Sequence, residues 1–113
     1  MTDEECFLVY VTAKDREQAR VIGTSLVHER LAACANVLGP IDSLYWWNGT
    51  VQEDSEAVLV VKTRAGRVDA LIARVKELHS YDAPCVVALP IRSGNPDFLR
   101  WIRIETGGQA VNP

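Results

Sequence analysis

The sequence predicts an α+β fold: a βαββαβ sandwich with an unusually long hairpin between its second and third strands and a further helix at the C-terminal end. Three observations point there. Apolar β-branched runs alternate with helically spaced apolar positions in the order strand, helix, strand, strand, helix, strand, helix. The dipeptide Asn48-Gly49, flanked by extended stretches, marks a two-residue hairpin turn. The interval from Thr12 to Cys34 equals that from Thr63 to Cys85, and each leaves a strand, crosses a helix and enters the next strand. Two tandem β-α-β units of this kind describe a split ferredoxin-like sandwich, with helices on one face of an antiparallel sheet. The 113 residues suit one domain, 1–113.

Each element has its own signal. "CFLVYVT" (6–12) is apolar, β-branched and aromatic, the pattern of a buried strand. Ala19, Ile22, Leu26 and Val27 recur at helical spacing, which predicts a helix over 15–31, with Asp15 as N-cap and Gln18 completing a capping box. Residues 33–47 read as extended, and Gly39-Pro40 interrupts them; proline cannot donate to a ladder, so it belongs at an edge or a bulge. The chain returns over 50–63, where "AVLVV" (57–61) suits a strand covered on both faces. Val68, Leu71, Ile72, Val75, Leu78 and His79 form the stripe of a second helix. "APCVVALPI" (83–91) is the fourth strand. Asn95, Pro96 and Asp97 then make a helix start, Phe98, Trp101 and Ile102 share a face, and Gly107-Gly108 ends it.

Composition narrows the function. Hydrophobic residues make up 48% of the chain and the formal charge is −3, with no basic or acidic tail, so nothing invites nucleic acid or anionic lipid. The N-terminus is acidic where a secretory signal would be basic, and no apolar run reaches membrane length. Cys6, Cys34 and Cys85 are an odd set spaced too widely for a zinc knuckle; reduced, buried thiols in a cytoplasm are expected. Catalysis has no motif: no nucleophile stands at recognisable spacing from a His, and no phosphate-binding glycine pattern or HExxH occurs. His28 is expected to face solvent. Arg64, Arg67, Arg74 and Lys76 are read as a solvated basic face.

The hairpin is the unusual feature. A domain of this size is roughly 35 Å across, whereas a strand over 51–63 runs ~40 Å, so the hairpin bends or projects. Tyr45 and Trp47 point to one face of it and Trp46 to the other. Three such rings offer roughly 500 Å² of apolar surface, near the limit for an exposed patch on a monomer. Rings on both faces of a projecting arm cannot all lie on its own body, which predicts self-association; the alternative is a hairpin that curls onto its own core.

The segments "LAACANV" (31–37), "SLYWWNGTVQEDSEAVLVVKT" (43–63), "HSYDAPCVVALPI" (79–91) and "DFLRWI" (97–102) resemble the CutA family of divalent-cation-tolerance proteins in content, order and spacing, over about residues 7–104. The resemblance implies a homotrimer of PII-like architecture, tolerance of divalent metals, and copper binding in some members. No enzyme activity and no required cofactor are expected, with copper or another divalent cation the candidate ligand. Two departures stand out. The family often reads His-Pro-Tyr-Glu where this chain has His79-Ser80-Tyr81-Asp82, and a later Glu where it has Cys85. Copper-binding members carry a Cys ending the first strand and paired His ending the second helix; here these are Val11 and Leu78-His79.

Two candidate sites follow. Copper favours imidazole and thiolate, so His79 and Cys85, across a helix-to-strand corner, are a candidate metal pair. The competing reading makes His79 the end of its helix's apolar stripe. Trp47, Glu56, Lys62 and Tyr81 are candidates to line an inter-subunit cleft, for an anion or metabolite or as a register-fixing ion pair. Tyr45, Trp46 and Trp47 are the candidate trimer interface. A PII-like sensor or scaffold using those clefts is the alternative function.

Overall fold

The computed structural model describes residues 5–107. Its elements are β1 (Cys6–Ala13), α1 (Arg16–His28), β2 (Cys34–Trp47), β3 (Thr50–Arg64), α2 (Ala65–Leu78), β4 (Val86–Pro90) and α3 (Pro96–Glu105). The strands form one sheet in the order β2-β3-β1-β4, and every neighbouring pair is antiparallel. This is the predicted α+β order, with β2 and β4 as open edges.

Strand alternation decides what is buried. Val9 and Val11 of β1 and Leu59 and Val61 of β3 point to one face, where Ile22 and Leu26 of α1 and Leu71 and Val75 of α2 meet them; all are fully buried. Helix α1 lies close enough that a Cβ on Gly23 would come within 2.9 Å of Leu59 Cδ1. The alternate residues point to the opposite face. There Leu8 lies beside Leu89, and Tyr10 between Val60 and Val87. At the margins of that face Leu38, Val87 and Leu89 remain 49–50% exposed.

Capping follows the sequence with one adjustment. Asp15 accepts from Gln18 N at 2.8 Å, but the Gln18 side chain reaches back to Lys14 N–H at 2.9 Å, one residue before the cap. Asn95 accepts from Asp97 N at 2.9 Å. Helix α1 stops at His28, short of the expected 31, because Arg30 turns to a positive φ of 63° and Leu31 N–H bonds back to Leu26 O. His28 is exposed, as expected, but ends the helix. Gly107 has a φ of +76° beyond α3; Gly108 and residues 1–4 of the acidic N-terminus lie outside the described residues. Arg74 is not simply solvated: it bonds to Glu29 at 2.9 Å and to Glu77 at 3.1 Å. Arg67 donates to Thr106 O at 2.9 Å.

The arm projects. The molecule measures 53 × 25 × 21 Å, with a radius of gyration of 15.0 Å. β1 pairs with β3 only as far as Ala13↔Ala57, so residues 41–56 form a two-stranded ribbon beyond the body. Its tip is the Asn48-Gly49 turn, with φ of 51° and 78°, the positive values that a type I′ hairpin needs at both central residues. The pairing register shifts between Leu38 and Ile41, at the cis Gly39-Pro40 break.

Leu59 is the residue on which α1 and the sheet meet. Leu59→Ala is expected to lower unfolding free energy by about 2–5 kcal/mol, as a buried truncation does. Urea denaturation followed by circular dichroism checks this; a loss below about 1 kcal/mol would mean that the core does not close on this residue.

Candidate functional site

The site is built where the arm leaves the body. Register counted from the turn places Leu44, Trp46, Val51 and Glu53 on one face of the ribbon, and Tyr45, Trp47, Asp54 and Glu56 on the other. The second face carries two phenol–carboxylate pairs. Tyr45 Oη donates to Asp54, and Tyr81 Oη donates to Glu56 Oε2 at 2.7 Å. The Glu56 bond crosses from the loop after α2 to the base of the arm, so it ties the two together.

His79 positions that loop. It ends α2, is 92% buried, and both its ring nitrogens are engaged. Nε2 lies 2.7 Å from Thr12 O, and Nδ1 accepts from Tyr81 N–H at 3.1 Å. These partners fix a neutral tautomer with the proton on Nε2. The ring also packs against Tyr81, centroids 4.6 Å apart and planes tilted by 49°. Ser80 receives a further bond from Gln18 Nε2 at 2.8 Å. Thus β1, α1 and α2 all hold the loop that presents the Tyr81 hydroxyl.

Both phenols are held in the neutral form. Burial, then the Glu56 bond, pushes the Tyr81 hydroxyl well above its ordinary value. The bond to Asp54 is the main cause of the upward shift at Tyr45. Cys6 is also pushed up, by burial, against the opposing pull of Arg103.

Both imidazole nitrogens of His79 already have partners within the chain, and Cys85 carries an exposed free thiol. Among the described residues no group of three or more His, Cys, Asp or Glu converges on one point. Of the four residues expected at an inter-subunit cleft, two already meet within the chain. Glu56 meets Tyr81, but Lys62 lies six residues along β3, ~20 Å away, and donates to Asn36 Oδ1 at 3.2 Å. Trp47 stands at the tip, 62% exposed. The thiols are not uniformly buried either. All are free, but only Cys6 is buried; Cys34 is half-buried, and Cys85 is exposed because β4 begins after it. The Tyr45–Asp54 pair was missed, although counting outward from Asn48-Gly49 places Asp54 diagonally across from Tyr45.

A two-layer α+β domain with a long, aromatic-tipped arm defines the class. The family model described as CutA1 divalent ion tolerance protein matches residues 7–105. The chain is 47% identical over 100 residues to the divalent-cation tolerance protein CutA of Thermus thermophilus, covering 88% of this chain and 97% of that one. It is 46% identical over 99 residues to the chloroplastic CutA 1 of Oryza sativa, of which it spans 56%, against 88% of its own length. The solved Thermus protein superposes with a TM-score of 0.88, at 46% identity, over 90% of this chain and 99% of that one. The Oryza crystal structure gives a TM-score of 0.88, at 43% identity, over 93% and 96%. A structure described as a periplasmic CutA from Archaeoglobus fulgidus gives 0.86, at 38% identity, over 89% and 98%. This chain belongs to the CutA family of divalent-ion tolerance proteins.

Tyr81 makes the site's stability depend on pH. A folded-state value raised above the ordinary 10.0 means that the native state holds the phenolic proton more tightly than the unfolded chain. That contribution is fully present below pH ~10 and is lost as pH rises toward the folded value. Tyr81→Phe is therefore expected to cost about 1 kcal/mol at neutral pH and to flatten the alkaline fall in stability. Denaturation midpoints on both sides of pH ~10 check it; identical alkaline profiles for the two proteins would remove Tyr81 from this role.

Proposed function

We propose that this chain works as a cytoplasmic homotrimer of PII-like architecture that serves divalent-metal tolerance by binding and assembly, without turnover. One observation carries the reading: the arm's rings have no cover within the chain. Trp46 is 74% exposed, Trp47 62% and Leu44 67%, on both faces of a ribbon that leaves the body. Their burial by sister molecules is worth on the order of 10 kcal/mol before ordering costs. Head-to-tail contact in a closed ring satisfies each arm identically, and three is the count that the family resemblance implies. The cytoplasmic assignment rests on the free, odd-numbered thiols.

Metal contact is proposed at the loop from His79 to Cys85. Cys85 offers an exposed free thiol, a soft donor suited to copper. His79 joins it only by giving up Tyr81 N–H or Thr12 O, so within one chain this donor set suits weak capture and not a structural metal centre. No cofactor is required for the fold. The small-molecule-sensor reading draws no comparable support, since Glu56 and Asp54 are already bonded to Tyr81 and Tyr45.

Native mass spectrometry with and without copper tests both parts. Three copies are expected for the wild type, and Trp46→Ser with Trp47→Ser is expected to give single copies. Copper retention should fall in His79→Ala and Cys85→Ser. A wild type that stays single, or equal copper retention by all variants, contradicts the corresponding part.

A further inference from the structure

A cavity of about 350 Å³ opens between α1 and the start of β2, and it uses no residue of the arm or of the loop from His79 to Cys85. Its place follows from how α1 sits on the sheet. Gly23 brings the helix down on two residues: a Cβ there would come within 2.9 Å of Leu59 Cδ1 and 3.2 Å of Ala35 Cβ. Beside that contact the floor is apolar. It is made by Ala35 and Val37, which pair with Val61 and Leu59 on the face of the sheet that α1 covers. Val27 of α1 adds a further apolar wall.

The rest of the helix wall is polar. Arg20, Thr24 and His28 recur four residues apart, so they form one stripe along α1, and all three are exposed. Among the described residues no Asp or Glu lines the cavity. A guanidinium fork, a hydroxyl and an imidazole without a carboxylate suit an anion. Arg20 is free to turn to one. Its contact with Glu17 is 3.8 Å long, between side chains that are 64% and 75% exposed, which is beyond hydrogen-bond reach and weak.

Geometry narrows the ligand. The volume is at the small end for a ligand pocket. Helical rise puts Thr24 ~6 Å and His28 ~12 Å along the axis from Arg20, room for one ring and a charged head. The C-terminal end of α1 repels negative charge, so the head belongs at Arg20 and Thr24, and the ring toward Val27 and His28. A tetrahedral phosphate can meet the fork with two oxygens and the hydroxyl with a third, whereas a planar carboxylate has only two.

We propose that this cavity binds a small phosphomonoester with a planar apolar body. Arg20 and Thr24 hold the phosphate, Val27 and His28 border the body, and Ala35 and Val37 are its floor. The site is separate from the arm and from the metal loop, so it stands or falls independently of the function proposed above.

Phenyl phosphate is the probe, titrated into the intact isotope-labelled protein at fixed ionic strength and followed by amide NMR. Saturable shifts are expected over residues 20–28 and 34–37. Arg20→Ala is expected to raise the dissociation constant about tenfold or more. Arg20→Lys, which keeps the charge without the fork, should fall between the two. Thr24→Val should give a smaller rise, and Arg92→Ala, at an exposed cation elsewhere, should give none. Circular dichroism confirms that each variant folds. Benzoate and inorganic phosphate should bind more weakly than phenyl phosphate, and benzyl alcohol should not bind. Shifts that do not saturate, that fall elsewhere, or that persist with equal affinity in Arg20→Ala would overturn the site. Benzoate binding as tightly as phenyl phosphate would overturn the phosphate assignment, and inorganic phosphate doing so would remove the apolar floor from the site.

Discussion

A ribbon longer than the body that carries it is the constraint on which this structure depends. The sandwich of α1 and α2 on the sheet closes around Leu59, Leu71 and Val75 and needs nothing further to bury its core. The two strands beyond Ala57 have no such layer over either face. Their backbone bonds hold them together, but a two-stranded ribbon is marginal in water without a covered face. What stabilises the extension is therefore outside the chain, or at its root.

The root is a set of directional contacts. His79 is locked by Thr12 O and Tyr81 N–H, and this fixes the place where the Tyr81 hydroxyl meets Glu56 at the base of the arm. Tyr45 and Asp54 add a second brace one step further out. These bonds set the angle at which the arm leaves the body without burying its rings. The same bonds engage both nitrogens of the His79 ring.

Much of the fold was legible because its signals are local. Alternating apolar runs, the Asp15 and Asn95 caps and the Asn48-Gly49 turn each act within a few residues, and each stands where the sequence puts it. The arm's length was legible too, by comparing strand rise with domain size. The site was less so. Whether Glu56 would meet Tyr81 or Lys62 depends on which loop packs beside the ribbon, and that is settled by the buried His79 rather than by spacing along β3. The start of β4 was read too early, at 83, because "APC" looks extended; its consequence is that Cys85 is an exposed thiol and not a small buried residue.

The chain's tryptophans report directly on whether the arm is sheltered. A Trp101→Phe variant leaves only Trp46 and Trp47 to emit. Acrylamide quenching of that variant should be weak at working concentrations and should rise on dilution as the copies separate. Strong quenching at every concentration, equal to that of the denatured chain, would show the rings in water throughout and would contradict the account.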